Sequence, residues 1–198
     1  MIKINKKLNV GIFIFDNAEV LDFAGPFEVF SVCSELYNYE LFDVFTVAKS
    51  LVPISAVNGL SVNPRHSFAD APPIDILIIA GGVGTRKQIL EADTLHWIKE
   101  VHQSTLFTAS ICSGAMILGA VHLLDNHPYC THKDVYEDMR LLVPTGLPAP
   151  EKRFVQTGKI FTSAGISAGI DLSFHILTLL HGQAIAQATA QYMEYDLK

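Results

Sequence analysis

Residues 110–114 read Ser-Ile-Cys-Ser-Gly, which sets a cysteine between small residues two places to either side, where a strand-like run meets a helix-like one. A chain that doubles back sharply from strand to helix needs that spacing, because a larger side chain would collide with the returning backbone. The pattern is a nucleophile elbow with a thiol in place of a hydroxyl. A helix start also presents unpaired N–H groups and partial positive charge, which favour thiolate, the reactive form. Cys112 is therefore the candidate nucleophile, with a small buried core residue as the plainer alternative. Cys33 and Cys130 lack the elbow and read as structural.

Two further segments carry groups such a nucleophile needs. The run IDILIIAGGVGT ends at Gly81, Gly82 and Gly84, where amides unshielded by Cβ atoms can approach a bound atom and stabilise negative charge. Gly82 and Ser113 are the expected N–H donors. A nucleotide loop is not expected, since GGVGTRKQ lacks the Gly-Lys-Ser/Thr ending of a P-loop and FDNAEV lacks dinucleotide glycines. Asp22 sits among Val20, Leu21, Phe23 and Ala24, and a carboxylate in such company is costly unless partnered or protonated. Beside a thiolate it would hold a proton and could donate it; the alternative is a helix cap. Glu19 and Glu28 read as solvated, and His132 as structural or interfacial rather than catalytic.

The elements that must position these groups are an α/β set. The runs at 10–15, 41–47, 74–80 and 106–110 are short and apolar throughout, as strands buried on both faces are. Segments with helical spacing, at 19–36, 85–103 and 115–125, alternate with them, which implies right-handed crossovers and a parallel sheet. Gly25 and Pro26 read as marking the start of the first helix. Turn signals at Asn58-Gly59 and Thr157-Gly158 predict hairpins appended to the sheet. The end of the chain reads as two helices broken at Gly182, the first buried and in part facing a second subunit, and 143–153 as a Pro-rich surface loop. No repeat or linker divides residues 1–198, so a single domain is expected.

Composition narrows the function. Of 198 residues, 49% are apolar and 17% charged, which suits a compact core. A net charge of −6 without a basic patch argues against nucleic acid, and no apolar run approaches a membrane span. The basic start MIKINKKLNVGIFIF has too short an apolar core for a signal peptide, so the cytoplasm is expected. Three widely spaced cysteines fit free thiols, and Cys130-Thr131-His132 has no partner pair to hold a metal; neither metal nor cofactor is expected.

Taken in order, LDFAGPFEVF, AGGVG, SICSGAMILGAVHLLD, THKD and SAGISAGIDLSFHIL resemble the ThiJ/PfpI superfamily, class I glutamine amidotransferase-like, over essentially the whole chain. Within it they resemble the branch of isonitrile hydratases and the amino-terminal domains of AraC-type regulators. The resemblance implies a flavodoxin-like three-layer sandwich with a mostly parallel central sheet, and a homodimer. It aligns Cys112 with the hydratases' nucleophile and Asp22 with their acid, in a reaction that adds water to a small isonitrile to give an N-substituted formamide. Gly81, Gly82 and Ile166 are the expected substrate contacts. Ser113 stands where the hydratases have threonine, and is expected to hydrogen-bond as threonine does. A helix-turn-helix module, which would take roughly 100 further residues, is not expected. Two alternatives remain open: a regulatory domain that senses a small molecule or redox state, and a glyoxalase-like enzyme acting on reactive carbonyls. Glutaminase and protease-like activities are disfavoured: no histidine is followed two places on by glutamate, and Ser113 rather than histidine follows the cysteine.

Overall fold

The structure, a computed structural model, describes residues 6–197. Runs of Ile, Val and Phe make its strands because such side chains pack well on a pleated surface covered on both faces. β1 (Leu8–Phe13) leads through α1 (Val20–Leu36) to β2 (Phe42–Ala48). The short strands β3 (Ile54–Ser55), β4 (Ser61–Val62) and β5 (His66–Ser67) precede β6 (Ile76–Ile79). Helices α2 (Thr85–Gln88) and α3 (Ala92–Ser104) connect it to β7 (Phe107–Ser110). Beyond the elbow come α4 (Ala115–Ala120), β8 (Pro128–Tyr129), α5 (Tyr136–Leu142) and β9 (Leu147–Pro148). The hairpin of β10 (Phe154–Thr157) and β11 (Ile160–Ser163) is followed by α6 (Ala168–His181) and α7 (Gln183–Tyr192).

Seven strands form the central sheet in the order β10-β11-β7-β6-β1-β2-β5, parallel throughout except for β10 against β11. From β1 the chain crosses through α1 in one direction along the sheet; from β6 it crosses through α3 in the other. Right-handed crossovers therefore place α1 and α3 on opposite faces, which gives three layers. α6 and α7 pack with α1. On the opposite face Trp97 of α3 stacks on Phe68 with ring centroids 4.2 Å apart. Strand order reverses between β1 and β6, and a crevice opens at their carboxyl ends where chemistry is usually placed. Among the described residues no helix is long and apolar enough to cross a membrane.

Several local expectations are corrected. Gly25 and Pro26 lie inside α1, not at its start. There, the missing Cβ of Gly25 admits Ile170 of α6: an added methyl would lie 2.9 Å from its Cγ1. The turn at Asn58-Gly59 joins β3 to β4, but this pair forms its own sheet. Its amides and carbonyls are drawn to the loop after β1 instead, through Asn17 N–H to Ser55 O at 2.7 Å and Val57 N–H to Ala18 O at 2.9 Å. The helical segment 85–103 breaks at Glu91, whose extended backbone separates α2 from α3. The segment 115–125 stays helical only to Ala120, ahead of His122 at a φ of 63°. Within 143–153, β9 pairs with β8 and anchors the Pro-rich loop. The break at Gly182 stands as read, at a φ of 88° that favours glycine.

Candidate active site

The parallel strands β1, β6, β7 and β11 are neighbours, so the turns that leave their carboxyl ends meet in one place. β7 delivers Cys112, which is 6% exposed and has a φ of 55°, a left-handed conformation that a non-glycine residue adopts at a cost. The small residue two places on is needed, but against the neighbouring strand rather than the elbow's own returning backbone: a Cβ on Gly114 would stand 2.5 Å from Ile79 O at the end of β6. β6 delivers Gly81 and Gly82. A Cβ on Gly81 would lie 2.7 Å from both Asp22 Oδ2 and Ser113 N, so only glycine lets the three turns close on one another. α1 delivers Asp22 from its first turn, fully buried.

The hydrogen bonds refine the roles read from sequence. Gly81 N–H donates to Asp22 Oδ2 at 2.9 Å and Gly82 N–H donates to Ser113 Oγ at 2.8 Å. Ser113 Oγ–H donates in turn to Gly82 O at 3.0 Å, so this hydroxyl clamps the β6 turn to the elbow. The amides that favour a charged Cys112 sulfur are those of Ser113 and Ile166. Ile166, from the loop between β11 and α6, has a φ of 50°, unusual for a β-branched residue, and lines the cavity. Thr131, which the sequence reading passed over, donates from Oγ1 to Cys112 O at 3.0 Å.

Asp22 and Cys112 are brought together. Burial pushes the Asp22 carboxyl up to about 7; the Gly81 N–H opposes the rise and the charge of Glu19 adds to it. Burial also pushes the Cys112 thiol up to about 12, and the neighbouring Asp22 charge adds to it. Asp22 Oδ1 has no aligned hydrogen-bond partner, while the Cys112 thiol lies close enough to favour the charged carboxylate. Asp22 therefore gives up its proton well before Cys112. The thiolate expected from a helix start is disfavoured, because burial and the Asp22 charge outweigh the Ser113 and Ile166 amides that favour a charged sulfur.

A cavity of about 230 Å³ opens over Cys112, with Gly82, Ser113, Val135 and Ile166 in its wall. A larger one of about 650 Å³ lies by α6 and α7, but no nucleophile faces it, and the smaller is taken as the site. His132 lines the smaller cavity, lies against Gly165, and accepts a bond at Nδ1 from Asp134 N–H at 3.3 Å. Glu19 also lines it rather than standing clear in solvent; its place three residues before Asp22 at a helix start was the available signal. Among the described residues, no group of three or more His, Cys, Asp or Glu is arranged to hold a metal ion.

Residues 8–179 match the DJ-1/PfpI family. The chain belongs to that family. Isonitrile hydratase of Pseudomonas putida is 32% identical over 189 residues, 95% of this chain and 78% of that protein. The HTH-type transcriptional regulator GbdR of Pseudomonas aeruginosa is 23% identical over 188 residues; these are 95% of this chain but 51% of the regulator, so the chain spans about half its length. Among solved structures, a ThiJ/PfpI family protein from Pseudomonas syringae superposes with a TM-score of 0.87 at 26% identity, over 97% of this chain and 76% of that one. Both branches that the five motifs resemble are thus represented among the family members similar to this chain.

Proposed function

We propose that this chain is a cysteine-dependent hydratase that adds water to a small isonitrile and releases an N-substituted formamide. The observation that carries the reading is the buried Asp22 carboxyl set against the Cys112 thiol beneath a small cavity. With the pair holding one proton, Asp22 carboxylate takes the thiol proton as sulfur bonds to the terminal carbon of R–NC. Asp22 then passes that proton to the same carbon, giving a thioimidate, Cys–S–CH=N–R. Water adds to this carbon, a proton reaches nitrogen, and the C–S bond breaks to release R–NH–CHO and the thiol. The Ser113 and Ile166 amides favour the sulfur while it is charged. Gly82 and Ser113 hold the wall, since their N–H and hydroxyl groups already serve each other.

The protein is proposed to act as a cytoplasmic homodimer; light scattering tests the assembly. The test of function is formamide formation from a simple alkyl isonitrile, comparing the native chain with Cys112→Ala and Asp22→Asn. Loss of turnover in both variants is expected. The likeness to a regulator favours one rival, a sensor that binds in the same cavity without turnover. Saturable binding without formamide in the native chain would establish that rival instead.

A further inference from the structure

Charge is unevenly distributed around the cavity over Cys112, and we infer that the site selects its substrate by charge, admitting neutral or cationic molecules and turning away those that bear a carboxylate. The inference deepens the hydratase reading, on which it rests only for the identity of the reacting group. Glu19, at the start of α1, and Asp134, in the turn before α5, both line the cavity. Arg86 is the one cationic side chain in the lining, and its Nη2 is engaged by Asp138 Oδ2 at 2.7 Å. His132 accepts Asp134 N–H at Nδ1, 3.3 Å away, and the same nitrogen lies 3.6 Å from Asp134 Oδ2. Val83, Val135 and Ile166 supply the apolar remainder.

Beneath them Asp22 is fully buried with Oδ1 unpartnered, and its titration registers the Glu19 charge. An entering carboxylate therefore meets two carboxylates, a third that is partly ionised, and a cation already neutralised. An entering cation meets the same groups with the opposite sign. In a space of about 230 Å³, any such group stands within a Debye length of both rim carboxylates, about 10 Å at moderate salt, so bulk ions do not erase the preference. Unit charges at these separations, in a partly solvated site, change a rate by on the order of tenfold.

The test uses three methanethiosulfonate reagents, neutral, trimethylammonium-bearing and sulfonate-bearing, each rate on Cys112 divided by the rate on a small free thiol. Cys33 and Cys130 are fully buried and do not compete. The normalised cationic-to-anionic ratio is expected to be on the order of ten at low salt, to shrink at high salt, and to fall toward one when Glu19→Gln and Asp134→Asn are combined. A ratio near or below one in the native chain, or one unmoved by both salt and the paired substitution, overturns the inference. Isonitriles bearing an ammonium or a carboxylate are then compared. Equal turnover of the two overturns charge selection; turnover of neither, with the reagent preference intact, overturns the hydratase reading and leaves charge selection standing.

Discussion

Replacing Asp22 with asparagine removes a titration from the middle of the molecule, and the size of the effect follows from where that carboxyl sits. Its ordinary value is 3.8 and burial lifts it to about 7 in the fold. Between those values the folded state binds more protons than the unfolded chain. Asp22 therefore contributes favourably at low pH, and the contribution is lost as pH rises through about 7. The whole interval corresponds to about 4 kcal/mol, of which roughly 2 to 3 kcal/mol falls between about pH 5 and about pH 8. Asparagine cannot ionise, yet its amide oxygen can still accept the Gly81 N–H that now reaches Asp22 Oδ2 at 2.9 Å. Urea unfolding, followed by fluorescence of the single tryptophan, Trp97, stacked on Phe68, measures both proteins across that range. The variant should gain stability relative to the native chain by about 2 to 3 kcal/mol on going from the lower to the higher pH. A stability difference that stays flat with pH would mean that Asp22 does not change its ionisation across that range, and the late deprotonation assigned to it would be refuted.

The same proton count predicts the rate profile. With Asp22 near 7 and Cys112 near 12, the reactive pair holds a single proton between those values, so log kcat/KM for an isonitrile should climb with unit slope below about pH 7 and level off above it. A profile already flat from about pH 5 would contradict the assignment. Ser113→Ala deprives both Gly82 N–H and Gly82 O of their partner and should cost about 1 to 3 kcal/mol in urea unfolding, whereas Ser113→Thr, which keeps the hydroxyl, should cost less. Equal losses in the two variants would show that the hydroxyl bonds are not what holds the elbow to the β6 turn.

Much of the site is legible in the sequence because its constraints are local. The spacing from Ser110 to Gly114 marks the elbow by itself, although the atom that excludes a side chain at Gly114 is Ile79 O on the neighbouring strand β6. Apolar runs alternating with helical spacing likewise dictate buried parallel strands and crossovers on both faces, and the carboxyl ends of those strands are where the elbow and the glycine turn must be. Local pattern fails where partners compete. The hairpin at Asn58-Gly59 is correctly read as a turn, yet its hydrogen bonds go to the loop after β1 rather than to the central sheet. Pro26 is misread as a helix start because the packing of α1 against α6 carries the helix through it.

The sequence by itself determines that Cys112 sits on an elbow, that Asp22 is a carboxyl among apolar residues, and that five ordered motifs belong to one family. Tertiary structure alone decides that these two groups are buried beside each other and both titrate late, that Ile166 turns its amide toward the sulfur, that Ser113 clamps Gly82, and that Glu19 lines the cavity mouth instead of standing free in solvent. Protonation depends on burial and on charge acting through space. Asp22 and Gly81, 59 residues apart in the chain and 2.9 Å apart in the fold, meet only because the sheet places β1 beside β6.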